Sequence, residues 1–532
     1  MQRFAQLYRD LEDSTKTLDK LAALRSYFAE APAADAAWAL YFLTGQKIKR
    51  AVNTRVLRTC IAELTGLPDW LVDESYDAVG DLGETLAWLA PSVTPTEDES
   101  LAETVERRIQ SLVGLDAAEQ SERVKQTWRE LSDRERLVFN KLITSEFRVG
   151  AARTLVTRAL GELAGVDQPT MAHRLSGAWS PTAEAFDAIM HGADEADPAH
   201  PYPFFLAHPL EGDPAALGSP GDWQAEWKWD GIRSEVVRRG ETLAVWSRGE
   251  ELVTDRFPEL LPAFEKLPSG TVLDGEIMAW RTDAALNIDS PLPFAVLQKR
   301  IGRLRVTPKI QADAPVALVA YDLLEHEGVD IRPLPLVERR ARLEQIISQL
   351  VEQRVRLSPT VAFDSWDELK QRWLEARERG VEGLMLKRRD APYGVGRQRG
   401  PWWKWKSQPF SIDAVLIYAQ PGHGRRASLL TDYTFGLWDE GVLVPVAKAY
   451  SGLTDDEIRQ VDAFIRQHTT EKFGPVRVVE PRLVFELHFE GVQKSTRHKS
   501  GVAVRFPRMH RWRQDKQPAD ADMLATLKAM AQ

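Results

Sequence analysis

From Trp223 to Trp229 the chain alternates apolar and polar side chains without a break: Trp223, Gln224, Ala225, Glu226, Trp227, Lys228, Trp229. A period of two is the signature of a half-buried strand, in which successive side chains face opposite ways. Lys228 sits near the end of that strand between two tryptophans. Desolvation there makes an amine easier to deprotonate and a better nucleophile. The octapeptide Glu226 to Arg233 alone is equally compatible with an edge strand whose Lys228 reaches out to solvent.

A chain of 532 residues exceeds one core, so two to four domains are expected. Cys60 is the single cysteine, which excludes a disulfide framework and a cysteine-based zinc cluster and fits a reducing cytoplasm. No apolar run reaches the length of a membrane span, and Met1 to Lys20 has no apolar signal core, so the expected location is cytoplasmic, with no membrane partner. The net charge of -9 argues against nucleic acid, but its distribution does not. Residues 1–200 carry 22 basic against 32 acidic side chains, whereas the remainder is near neutral and Lys494 to Lys516 holds eight basic residues and one acid. Local patches set phosphate affinity.

Residues 1–200 read as helical: Phe4, Leu7, Tyr8 and Leu11 recur at helical spacing, and Ala36 to Leu43 ends at Gly45, a C-cap. Two basic helical stretches are expected inside this acidic region, Gln46 to Arg58 and Phe147 to Arg153 with Arg158 following. Pro91 to Ser100 reads as a loop, and the Pro- and acid-rich Gly192 to Pro203 as a domain boundary. Residues 201–408 mix strands and helices. Ser234–Val237 and Leu243–Ser247 form a hairpin, Thr271–Trp280 and Val316–Leu324 are strands, Leu336–Leu350 and Trp366–Arg379 are helices, and strands return at Glu382–Arg388 and Trp402–Lys406. Residues 409–532 are short strands with one helix, Asp455–Gln467, the pattern of an oligonucleotide-binding barrel. Cys60 reads as a buried small residue. His326, His423, His488, His498 and His510 share no metal-ligand spacing.

No glycine-rich phosphate loop and no HExxH is present, and Gly394-Val395-Gly396 lacks the strand–helix setting of a dinucleotide fingerprint. Lys228-Trp229-Asp230-Gly231-Ile232-Arg233 resembles the KxDGxR nucleophile motif of covalent nucleotidyltransferases, the group of ATP-dependent DNA ligases, RNA ligases and capping enzymes. Further motifs follow in the family's order: Ser247-Arg248-Gly249, Leu273 to Glu276, Tyr321-Asp322, Glu382 to Lys387, and Lys404-Trp405-Lys406. Arg505 to Arg508 and Arg511 to Lys516, an RFPR followed by RxDK, are similar to DNA ligases more than to capping enzymes, as is Leu297 to Arg303. The resemblance is close over about residues 204–520 and looser in the helical region. Tyr321 stands where many ligases carry phenylalanine.

The resemblance implies a three-domain ATP-dependent DNA ligase: a helical DNA-binding domain (1–200), an α+β nucleotidyltransferase core of ATP-grasp-like antiparallel sheets (201–408) and an OB-fold barrel (409–532). It implies ATP as cofactor with Mg2+ or Mn2+, nicked duplex DNA as partner, and a monomer that encircles it. Lys228 is then the nucleophile, attacking the α-phosphate as a neutral amine, a form favoured by the positive charge of Lys404, Lys406 and a divalent cation. Glu226 is implied to meet the adenine amino group, Glu276 a ribose hydroxyl and Tyr321 the adenine ring; Arg233 and Arg248 are implied to meet ribose or phosphate oxygens. Glu382 and Asp230 are implied metal ligands, with Asp230 also assisting the sealing step, and Arg513 and Lys516 are implied to meet pyrophosphate. The alternatives are the same chemistry on RNA or a cap, or a non-catalytic DNA-end clamp.

Overall fold

The computed structural model describes every residue except 94–98, 193–196, 284–287, 302, 304–305, 351, 423–425, 427 and 532. The expected loop at 91–100, the boundary at 192–203 and the segment 297–303 therefore lie partly outside the described residues, and His423 wholly so. Two compact units are formed, one of Met1–Thr15, Tyr41–Gly150 and Gln408–Gln532, the other of Lys16–Leu40 and Ala151–Ser407. No helix among the described residues is long and apolar enough to cross a membrane.

Up to His191 every regular element among the described residues is a helix, from Gln2–Asp13 to Ala183–His191. Gly45, at φ 91°, closes the helix Ala33–Leu43, and Cys60 is fully buried. The two basic stretches, however, are largely irregular connections. Gln46–Asn53 is not helical, because Asn53 instead caps the next helix, Thr54–Thr65, by accepting the backbone N–H of Arg55 at 2.9 Å. Residues 147–152 are likewise not helical, and helix resumes only at Arg153. The first connection is bonded to the turn just before the second: the Ser145 hydroxyl donates to the Ile48 carbonyl at 2.8 Å, and Arg50 Nε to the Thr144 carbonyl at 3.3 Å. Lys47, Lys49, Arg50 and Arg148 are exposed along them.

The unit built mainly from residues 151–407 contains, among the described residues, two large sheets and the short pairing of Phe205–Leu206 with Gly396–Arg397. Its principal strands are β1 (Trp223–Trp227), β2 (Ile232–Arg239), β3 (Thr242–Ser247), β4 (Thr271–Asp283), β5 (Val316–His326), β6 (Gly383–Arg388) and β7 (Trp402–Lys406). The larger sheet runs β5-β4-β2-β3, all antiparallel, with Val355–Leu357 added in parallel beside β5. The smaller runs β1-β6-β7, antiparallel, with Thr360–Val361 and His208–Pro209 at its edges.

Register decides which side chains the smaller sheet offers. Trp227, Leu384 and Trp405 form one row across the sheet, and Glu226, Met385 and Lys404 the next. The tryptophan rows face a core with Leu369 and Trp373 of the helix Trp366–Leu374, where Trp373 stacks on Trp405 at 4.9 Å. Directly opposed side chains share a face, so the charged row is left on the other side. In the larger sheet the alternation is similar: Val236, Leu273, Leu318 and Leu323 line its main core, while Arg233 and Glu276 sit opposite one another on the remaining face.

The barrel strands are β8 (Phe410–Pro421), β9 (Leu430–Asp439), β10 (Val442–Ala449), β11 (Thr469–Phe473), β12 (Val476–Val479), β13 (Val484–Phe489) and β14 (Arg508–Trp512). They make one sheet, in which the long β8 pairs with β9 on one side and with β12 and β13 on the other. The helix Asp455–Gln467 has the expected bounds and opens with a Thr454–Glu457 capping box. The chain is thus an all-helical region, an α+β core and a C-terminal β-barrel.

Candidate functional site

Lys228 is the first residue after β1. Its backbone N–H donates to the Gly383 carbonyl at 2.8 Å, and the N–H of Glu382 donates back to the Lys228 carbonyl at 2.8 Å. This reciprocal pair sets the two side chains together, and the Lys228 amine donates to a Glu382 carboxylate oxygen, each side chain being 21% exposed. Gly231 permits the turn after Lys228 without a left-handed φ. A Cβ there would stand 2.4 Å from the Ile277 carbonyl and 2.8 Å from the Met278 sulfur. Glycine is needed because the loop lies directly on β4.

The larger sheet supplies the facing wall. Arg233 grips Asp274 with both ends of its fork, at 3.1 and 2.7 Å, and the Tyr393 hydroxyl donates to the same carboxylate at 2.7 Å. Burial disfavours the Arg233 charge, but Asp274, Tyr321 and Tyr393 together more than offset it and hold the guanidinium well above its ordinary value. Glu276 is directly opposite Arg233 in register, and burial pushes its carboxyl up to about 8 against the pull of Lys228 and Arg233. No hydrogen bond is made by its carboxylate among the described residues.

Between the walls lies a buried ion pair that the motifs do not announce. Lys387 donates to Glu226 at 2.9 Å, with the two side chains only 1% and 2% exposed, and Gln224 donates to the same oxygen at 2.7 Å. The Lys387 amine also stands over the rings of Tyr321, at 4.5 Å, and Trp402, at 4.6 Å. Lys387 is thereby the bridge from Glu226 on one sheet to Tyr321 on the other. The signal available in sequence is its place two residues after Met385, on the Glu226 face.

Cations gather at the Lys228 end. Lys404 is held below its ordinary value, first by burial and then by Arg397, Lys406, Lys228 and Arg248. Lys404 and Lys406 share a face of β7, half-buried and exposed respectively, as their spacing requires. Arg248 is exposed, and its backbone N–H donates to the Arg233 carbonyl at 3.0 Å. Asp230 is half-buried in the loop after Lys228. Arg397, in the short strand Gly396–Arg397 paired with Phe205–Leu206, is the member the sequence does not suggest.

Arg513 and Lys516 belong to the other unit. Both are tied to Asp413 of β8, at 2.9 and 2.6 Å, and Arg513 also meets Asp515 at 2.8 Å. His488 and His510, which share no ligand spacing in sequence, lie ring on ring, their centroids 3.9 Å apart, beside Glu486.

Two antiparallel sheets that close a charged cleft around a lysine–carboxylate pair define the class, a nucleotidyltransferase core. Family models agree with this along most of the chain: "DNA ligase N terminus" matches residues 1–161, "ATP dependent DNA ligase domain" 205–406 and "ATP dependent DNA ligase C terminal region" 426–516. A "Probable DNA ligase" of Koribacter versatilis is 33% identical over 98% of this chain and 95% of its own length. A "DNA ligase" of Thermococcus fumicolans is 26% identical over 98% and 96%. The solved structure Pmar-Lig_PreS3 shares the fold, at a TM-score of 0.60 with 14% identity over 96% of this chain and 99% of that one. The chain belongs to the ATP-dependent DNA ligase family.

Proposed function

We propose that this enzyme seals nicks in duplex DNA through an AMP carried on Lys228. The observation that carries the reading is the Lys228–Glu382 pair at the mouth of a cleft rich in cations. In the first step the Lys228 nitrogen attacks the α-phosphorus of ATP, a P–N bond forms and the P–O bond to pyrophosphate breaks. A 5′-phosphate oxygen at the nick then attacks the same phosphorus and frees Lys228. Finally the 3′-hydroxyl attacks the 5′-phosphorus, and AMP leaves. Glu382 holds the Lys228 amine, so the carboxylate must release it before the first attack.

We assign Lys404, Lys406 and the exposed Arg248 to the phosphate oxygens on which charge develops. Arg233, clamped to Asp274, adds fixed positive charge to the wall. Glu276, whose carboxylate makes no hydrogen bond among the described residues, takes a ribose hydroxyl. Glu226 accepts from the adenine amino group, and Tyr321, coupled to it through Lys387, lines the same end. Glu382 and Asp230 fit a hard cation such as Mg2+ or Mn2+, which takes oxygen donors and keeps several waters. When bound, that cation neutralises phosphate charge. Arg513 and Lys516 meet pyrophosphate.

The two basic connections bearing Lys47, Lys49, Arg50 and Arg148 support phosphate binding along a duplex. The reading divides the chain functionally at 1–200, 201–408 and 409–532, and has a monomer encircle its substrate in the cytoplasm. Incubation with ATP and Mg2+ should add the mass of one AMP to the chain. Lys228→Ala should abolish both that adduct and sealing. Undiminished labelling of the variant would overturn the reading.

A further inference from the structure

Glu486 and His488 are two apart on β13 and share a face of the barrel sheet. On β14, Arg511 pairs with Glu486 while Met509 pairs with Leu487, so His510 is the extra residue of a β-bulge. A bulge re-aims the side chain it carries. Here it lays the His510 ring flat against that of His488, with 12° between the planes. One ligand atom from each of Glu486, His488 and His510 lies within 4.8 Å of the other two, and no other such group of three occurs among the described residues.

We propose that Glu486, His488 and His510 bind a late first-row divalent cation of the Zn2+ type. Two imidazoles and one carboxylate form a donor set that suits Zn2+, Ni2+ or Cu2+, whereas Mg2+ prefers oxygen alone. Bonds of about 2.1 Å to such an ion place tetrahedral donors roughly 3.4 Å apart, so the cluster has to contract a little. His510 is exposed and can supply the movement by rotating.

The carboxylate is already oriented for this. One Glu486 oxygen accepts from Arg511 at 2.6 Å, while the other faces Ser411 at 3.0 Å and the His488 ring at 3.1 Å. A cation taking the second oxygen leaves the Arg511 bond intact, and such outer partners hold ligands in place. Arg511, with Arg513 at 3.9 Å from Glu486, opposes a dication by charge, which favours an ion that binds imidazole strongly over one that relies on charge.

The test is Zn2+ binding to the full chain, by competition with a chromophoric chelator in excess Mg2+. One equivalent should bind, and His510→Ala and His488→Ala should each weaken it by at least about tenfold, a loss already seen when only an outer partner of a ligand is removed. His498→Ala, an exposed histidine outside the cluster, should change nothing. Co2+ should give a visible absorption band that disappears in His510→Ala. Equal Zn2+ affinity in the wild type and His510→Ala, or a Co2+ band indifferent to that change, would overturn the proposal. The exposed position of His510 keeps this comparison usable even if His488→Ala fails to fold.

Discussion

Replacing Lys387 by methionine removes one partner of an ion pair that is almost wholly shielded from water. The lysine also lies against two aromatic rings, so methionine fills the space while deleting the charge. Glu226 is left as a buried carboxylate with Gln224 as its remaining donor. Breaking a buried pair from one side costs about 3–5 kcal/mol, because the surviving charge loses its compensation. At about 2–4 °C per kcal/mol for a unit of this size, melting of that unit should fall by roughly 10 °C. The double variant Glu226→Leu/Lys387→Met removes both charges, and such replacements are commonly neutral or stabilising. It should recover most of the loss. Differential scanning calorimetry of the two singles and the double gives the coupling directly. Below its transition, Lys387→Met should also show a raised KM for ATP, since Glu226 then loses the partner that holds it in place for the adenine amino group. A double variant destabilised by the sum of the singles would refute the reasoning, since the pair would then not be what holds the walls together.

Three further outcomes are expected. Replacing Lys47, Lys49 and Arg50 together should flatten the salt dependence of nick binding, by about 0.9 in log–log slope for each phosphate no longer engaged; an unchanged slope removes them from the interface. Arg513→Ala and Lys516→Ala should lose self-adenylylation by on the order of a hundredfold while keeping most of their rate on a nick supplied already adenylated; equal losses would mean that their bonds to Asp413 matter only for the barrel. Glu276 titrates near 8 in the folded chain against an ordinary 4.5, so its protonated form stabilises the fold fully below about pH 4.5 and this contribution is lost as pH rises through about 8. Glu276→Gln should remove that part of the decline in melting temperature, and identical pH profiles for the two proteins would show that the group is not so held.

What can be read from the residues follows periodicity. β7 and the helix Asp455–Gln467 have the bounds their patterns imply, because each has a buried and an exposed face. β11 is illegible because its residues, Thr469 to Phe473, are almost all exposed and show no apolar alternation. Gln46–Asn53 looks helical by composition, yet the Asn53 cap and the bonds to Ser145 and Thr144 are choices made by neighbours. In the cleft, the ordered motifs locate Lys228, Glu382 and Lys404. They do not reveal that Lys387 closes on Glu226, or that Asp274 and Tyr393 lock Arg233, since such pairings depend on which strands lie side by side. His488 and His510 are hidden for a related reason: one bulge in β14 brings them together.

The smaller sheet has a temporal consequence. β1 finds its long neighbour in β6 and only a two-residue pairing, Thr360–Val361, before it, and Lys228 and Glu382 are 154 residues apart. At about 5–20 residues per second of synthesis, the segment carrying Trp223, Trp227 and Trp229 waits roughly 8–30 seconds for its partner to emerge. During that interval an apolar strand edge stands unpaired, which is where nascent chains associate wrongly. The larger sheet, with β2, β3, β4 and β5 consecutive in the chain, can assemble first and offer the waiting strand a surface. Truncated chains that end before β6 should therefore be the aggregation-prone ones, and those released after β7 should not.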